Sequence, residues 1–287
     1  MPGKHLIVAR VGRRSLHPTW LTSSSPRGWD LYLCPYQELA TQEVDDIVVG
    51  KVMPGPKWTG LRELLNGWSG WREYDYIWFP DDDIFASQAT IGEMFRIAQA
   101  LGLDLCAPAL HEASYYAHFS TMRNRKCFAR RTGFVEIMMP CFSRVALEKL
   151  LPTLDLSTTG WAWGLDSLWP KLLGYDNIGI IDATPVLHTR PWGLLRDGGL
   201  DGRVRAEARR IMAEHDCAEV HTTFAAVDSS LKTLDLGQDE LAVLLARGWD
   251  YLLDTNPAVL PWLLQAQQPR QGWRAYPLAG TASGTNP

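Results

Sequence analysis

The sequence has no CxxC pair, no long apolar run, no stripe of basic residues and no internal repeat. Each absence removes a class of protein. Its five cysteines (Cys34, Cys106, Cys127, Cys141 and Cys217) are odd in number and irregularly spaced, which argues against a disulfide framework and a cysteine-bound zinc. They are read as reduced and mostly core. The apolar stretches fall well short of the roughly twenty residues of a membrane helix, so no transmembrane segment is expected. Lys4 and His5 precede only a short apolar run, too brief for a secretory leader; a cytoplasmic location is expected. With a net charge of −4 and scattered lysines and arginines, nucleic acid is not an expected partner.

What is present is apolar mass and tryptophan. A chain of 287 residues with 46% hydrophobic content can bury a full core. Thirteen tryptophans, eight of them from Trp58 to Trp192, exceed ordinary core needs. Most are expected to pack, while flat indole faces also suit sugar rings.

The chain is organised around YDYIWFPDDDI at residues 74–84. Residues 76–79 form an unbroken apolar run suited to a strand buried on both faces, and Pro80, with no amide proton, ends the ladder. Asp81, Asp82 and Asp83 follow at once. Ionising three adjacent carboxylates beside an apolar strand is costly unless a cation sits among them. Hard oxygen ligands at the carboxyl end of a strand suit Mg²⁺ or Mn²⁺. The competing reading is a solvated acidic turn capping the next helix. Thr90 and Glu93 supply that helix with a capping box of its own, so the aspartates are not needed as caps.

Other runs read as strands of an α/β sheet: residues 5–11, 29–34, 47–52, 103–110, 134–142 and 178–188. The first ends in Gly12, Arg13, Arg14 and Ser15, donors for a base or phosphate. Pro and Gly at 54–56 force a turn, with a helix opening at Thr59 or Gly60. Lys57, just before it, meets either solvent or a phosphate. Residues 114–131 read as a long excursion of the kind that forms lids or acceptor sites. Glu136, in the middle of an expected strand, is either salt-bridged to an arginine or turned to the site.

The stretch GWAWGLDSLWP at 160–170 presents Trp161 and Trp163 beside Asp166 at a helix start. Asp166 either caps that helix or grips and deprotonates a sugar hydroxyl. His188 ends the last expected strand, as a satisfied core residue unless it meets the aspartates. From 206 to 269 a mainly helical extension with no evident chemistry is expected, and 270–287, rich in Gln, Gly, Pro, Thr and Ser, is expected to be disordered.

The boxes GPKW, YDYIWFPDDDI, FVEIMMP, GWAWGLD and HTRP, in that order over residues 4–195, resemble domain-of-unknown-function family 707. The acidic box is similar to the DxD motif of GT-A glycosyltransferases, and GWAWGLD to the box holding the catalytic base of inverting galactosyltransferases of that fold, with a single Asp166 in place of a Glu-Asp pair. The resemblance implies a GT-A-like (Rossmann-like), mostly parallel sheet flanked by helices over residues 1–205. By it Asp83 ligates Mn²⁺ or Mg²⁺, Asp81 assists the metal or contacts the ribose, Asp82 orients the loop or touches the donor, and His188 completes the metal shell. The expected activity is transfer of a sugar from a nucleotide-diphosphate donor to a hydroxyl-bearing acceptor, with Arg13 and Lys57 at the donor, Asp166 as base, and Trp161, Trp163 and Glu136 at the acceptor. A haloacid-dehalogenase-type phosphohydrolase, which needs a hydroxyl soon after its DxD, and a non-catalytic glycan-binding protein are the alternatives.

Overall fold

Burial on both faces decides which apolar runs become central strands. The computed structural model describes residues 3–23, 25–39, 47–191 and 198–255. Strand β1 (His5–Val11) is buried at every position after His5. It lies between β2 (Asp30–Pro35) and β4 (Tyr76–Trp78) and runs parallel to both, with β3 (Ile47–Val49) parallel to β2 beyond. On the other flank β8 (Cys141–Ser143) runs antiparallel between β4 and β6 (Leu105–Leu110), and β9 (Ile178–His188) runs parallel to β6. Strands β7 (Ala129–Gly133) and β10 (Val220–Val227) close that edge, each antiparallel to its inner neighbour. Along this path only β7 and β8 oppose the common direction. The two-residue β5 (Ile84–Phe85) pairs antiparallel with the end of β9.

Helices cover the sheet. They are α1 (Lys57–Gly67), α2 (Gln88–Ala100), α3 (Arg144–Leu150), α4 (Leu165–Leu172), α5 (Gly198–Glu214), α6 (Gln238–Gly248) and α7 (Asp250–Thr255). The result is the α/β architecture expected: a mixed, mostly parallel sheet flanked by helices. Among the described residues no helix is long and apolar enough to cross a membrane.

Three local expectations need correction. Helix α1 begins at Lys57, two or three residues early, because Pro56 in an extended conformation (φ −61°, ψ 159°) serves as its N-cap. Helix α2 is capped by Ser87, whose hydroxyl accepts the Thr90 amide at 3.1 Å. Glu93 instead clasps Arg96 one turn on, at 2.6 and 2.7 Å. The apolar segment 134–142 is regular strand only from Cys141. Before it, the carbonyls of Pro140 and Met138 accept the amides of Phe79 and Asp81, so the segment follows the acidic box as an irregular partner.

The boundary expected at 205 falls inside α5. Residues after it supply a strand of the central sheet, and Gly164 (φ 90°) admits the α5 backbone, since a Cβ there would lie 3.0 Å from the Ala208 carbonyl. The tail expected to be disordered lies outside the described residues.

The β7–β9 pair carries a fully buried ion pair, the Arg130 guanidinium donating to Asp182 at 2.9 and 3.1 Å. Arg130 also donates to the Ser120 and Met122 carbonyls, which pins the start of the 114–131 excursion. Removing one partner strands a buried charge. Asp182→Asn should therefore cost about 3–5 kcal/mol in urea unfolding, whereas a loss under about 1 kcal/mol would mean the pair contributes no more than a surface one.

Candidate functional site

The carboxyl ends of β1, β2, β4 and β9 meet at a cavity of about 860 Å³. This is where an open, mostly parallel sheet exposes backbone for ligands. Asp81, Asp82 and Asp83 all line it, and each faces a different protein cation.

Asp81 accepts from the Lys57 ammonium at 2.6 Å. That ammonium also donates to the carbonyls of Phe79, Ile137 and Met138, so Lys57 is a buried strut joining α1 to the acidic box. It is not a free phosphate ligand. Burial pushes the Lys57 pKa down against the pull of the three aspartates. Burial, with the Asp83 charge, raises Asp81, while Lys57 opposes both.

Asp82 is the loop organiser. It accepts from the Gly12 amide at 3.3 Å, the Tyr36 hydroxyl at 2.8 Å and the Arg190 guanidinium at 3.1 Å. Arg190 also donates to the Arg14 carbonyl. Arg13 is exposed, donates to the Glu38 carbonyl and does not line the cavity. Its neighbour Arg14 does.

Register brings His188 to Asp83. Ile84 sits opposite His188 in the β5–β9 pair, Thr189 donates its amide and hydroxyl to the Asp83 carbonyl, and the Trp20 indole fixes the Ile84 carbonyl at 2.9 Å. The imidazole Nε2 then lies 3.2 Å from Asp83 Oδ2. Burial lowers the His188 pKa, but the Asp83 hydrogen bond and charge outweigh it and lift it to about 9. Asp83 Oδ1 is buried with no hydrogen-bond partner. An orphaned carboxylate oxygen beside an imidazole fits a divalent cation, so Asp83 and His188 suit the expected metal. Asp81 meets Lys57 instead. The repulsion that pointed to a metal is largely answered by the protein's own cations.

The tryptophan box forms another wall. Gly160, Ala162 and Gly164 all have positive φ (74°, 60° and 90°), coiling the backbone so that Trp161 and Trp163 both line the cavity. Gly160 is obligatory, since a Cβ there would fall 2.0 Å from Thr59 Oγ1. Glu207 of α5 holds the approach to this loop, accepting from the Ser157, Thr158 and Thr159 hydroxyls and the Thr158 and Thr159 amides at 2.6–2.9 Å. Burial would raise its pKa, but those donors together lower it.

Asp166 is buried, lines the cavity and accepts the Gly164 amide at 3.1 Å. Burial, then the charges of Glu219 and Glu136, push its pKa well up. Glu136 makes no salt bridge among the described residues. It lines the cavity, its Oε2 is buried without a hydrogen-bond partner, and burial raises its pKa from 4.5 to about 7. Ser87, the first hydroxyl after the acidic box in sequence, is committed to capping α2.

Sequence reasoning missed Tyr36, Arg190, Glu207, Arg205, His118 and Glu219. The region after 205 was expected to hold no chemistry, yet Glu219 lines the cavity. The one signal for it was Glu219 and His221 two apart in a strand-like run, hence on one face.

No protein-family model matches the chain, and no curated protein matches it in sequence. Among solved structures, TarS of S. aureus (residues 1–349) is similar over 89% of this chain and 73% of its own, at 10% identity and a TM-score of 0.51. GalNAc-T7 with UDP, GalNAc and Mn²⁺ aligns over 75% of this chain and 55% of its own, at 10% identity and a TM-score of 0.47. The fold is GT-A-like.

The Glu136 shift has a definite sign. Between about 4.5 and about 7 the folded chain keeps a proton that the unfolded chain has lost, so stability falls as pH rises through that window. Glu136→Gln should melt above the wild type at pH ~8 and converge with it near pH ~4. Identical melting temperatures at both pH values would show that the group is solvated.

Proposed function

We propose that the chain is a metal-dependent glycosyltransferase that moves a sugar from a nucleotide-diphosphate donor to a hydroxyl acceptor. The observation that carries this is the Asp83–His188 pair, with one Asp83 oxygen unsatisfied, at the strand ends of a large cavity. The GT-A-like fold agrees with it. Asp83 and His188 hold the cation. When bound, a divalent ion supplies Lewis-acid neutralisation of the leaving diphosphate.

The other residues position and protect. Asp82 ties Gly12, Tyr36 and Arg190 into one wall, a rigid frame for the nucleoside and ribose. Lys57 fixes Asp81 in the cavity wall, where its carboxylate assists the metal or meets the ribose. Trp161 and Trp163 offer apolar faces to a sugar, and closing them over it excludes water. Asp166 takes the acceptor proton. Burial and two nearby carboxylates make it a stronger proton acceptor than an ordinary aspartate, as a general base working near neutrality requires. With base and leaving group on separate walls, transfer inverts the anomeric centre.

A thermal-shift screen of nucleotide diphosphates with and without Mn²⁺ tests the reading. Asp83→Ala should keep the fold and lose the Mn²⁺-dependent shift. Asp166→Asn should keep donor binding and lose transfer by about 10²-fold or more. A folded Asp83→Ala protein with undiminished metal-dependent binding would remove the metal assignment, and full turnover by Asp166→Asn would move the base elsewhere.

A further inference from the structure

A second constellation in the same cavity includes Glu219, which that reading uses only as a charge near Asp166. His118 precedes the short helical turn Phe119–Thr121, while Glu219 and His221 flank Val220 at the start of β10. Antiparallel pairing of β10 with β7 sets Val220 opposite Gly133. There one ligand atom from each of His118, Glu219 and His221 lies within 4.8 Å of the other two. Among the described residues no other group of three histidine, cysteine or carboxylate side chains meets that test.

The rings are held as ligands are held. The two imidazoles stack at 4.9 Å, with an interplanar angle of 24°, and Phe134 packs on both, at 4.9 and 4.2 Å. Ser120 Oγ lies 2.6 Å from His221 Nδ1, leaving Nε2 directed at Glu219 Oε2, 3.3 Å away. An outer hydrogen bond on one ring nitrogen, orienting the other, is the usual support of a metal-bound histidine. Both rings are packed deep in the wall of the cavity, His221 fully buried and His118 partly so. His118 and Glu219 line the cavity, which leaves coordination positions open to a ligand there.

We propose that His118, Glu219 and His221 form a second divalent-metal site, with two imidazoles and one carboxylate, selective for ions of the zinc class. Two nitrogens and an oxygen, with a position left for water or a hydroxyl, is a zinc donor set. Mg²⁺ prefers oxygen alone, so a site with two imidazoles favours zinc more strongly than the Asp83 site with its single imidazole. The cation also answers a local excess of negative charge, because Asp166, Glu136 and Glu219 all line this cavity. A hydroxyl bound there would sit among the carboxylates available to take its proton.

The test is calorimetric titration of the full chain with Zn²⁺ in excess Mg²⁺. One equivalent should bind. His118→Gln should weaken it by about 100-fold, with unchanged melting in the absence of metal, and Asp83→Ala should leave it intact. X-ray absorption on the wild type loaded with one equivalent gives an answer without variants: two imidazoles and no sulfur in the shell are expected. Absence of stoichiometric binding overturns the proposal. So does a sulfur shell, a single imidazole, or affinity that depends on Asp83 and not on His118. Because the probe is the metal alone, these outcomes do not depend on donor binding or transfer.

Discussion

Three adjacent aspartates at the end of a buried strand are an electrostatic problem, and the rest of the molecule is arranged to solve it. Each carboxylate receives its own cation from a different part of the chain: Lys57 at 2.6 Å, Arg190 at 3.1 Å and His188 at 3.2 Å. Like charges this close repel, and the fold sets each of them against a basic side chain of its own. The pairing is also topological. It obliges α1 to begin at the strand ends, β9 to run eleven residues to His188, and the chain beyond β9 to fold back over β1 through Arg190 and Arg14.

The second wall is built by the opposite logic, with neutral donors, three hydroxyls and two backbone amides, gathered on one carboxylate. Glu207 accepts five hydrogen bonds from residues 157–159, and charge-assisted bonds of this kind hold a loop more firmly than neutral ones. The segment that leads into the tryptophan box is therefore tied to α5. Contact with α1 is equally tight, the Trp58 amide donating to the Gly160 carbonyl at 3.1 Å. Helix α5 and strand β10 lie past the stretch that carries the motifs, yet neither the indole wall nor the cavity is complete without them.

How much of this was legible in the sequence depended on whether the cause was local. Strand β1, the break at Pro80 and the helix after Gly164 follow from apolar runs, a missing amide proton and a glycine, and all were readable. The acidic box stood out because its repulsion is local too; its counter-ions did not, since Lys57 and Arg190 are ordinary basic residues until the fold delivers them. The segment at 134–140 read as strand from its apolar residues, but its carbonyls are taken by the acidic box and by Lys57, a demand made elsewhere in the chain. Ser87 displaced the Thr90–Glu93 cap because a serine three residues earlier caps just as well, and starting the helix there takes Thr90 into its first turn. Glu219 and His221 share a strand face, but only the distant His118 gives that pairing chemical meaning.

The two halves of the cavity differ in how they treat charge, and that difference divides the chemistry between them. At the acidic box each carboxylate is set against a basic partner, Lys57, Arg190 or His188, so a ligand there meets a preorganised field. Toward Asp166, Glu136 and Glu219, desolvation raises all three pKa values, to about 7 at Glu136. A carboxylate that accepts a proton near neutrality costs little to cycle between forms. Groups whose environments drive their pKa values apart mark where charge is held and where protons move. Here the fold sets both conditions within one cavity: basic partners at the strand ends, and desolvated carboxylates along the wall that carries Asp166, Glu136 and Glu219.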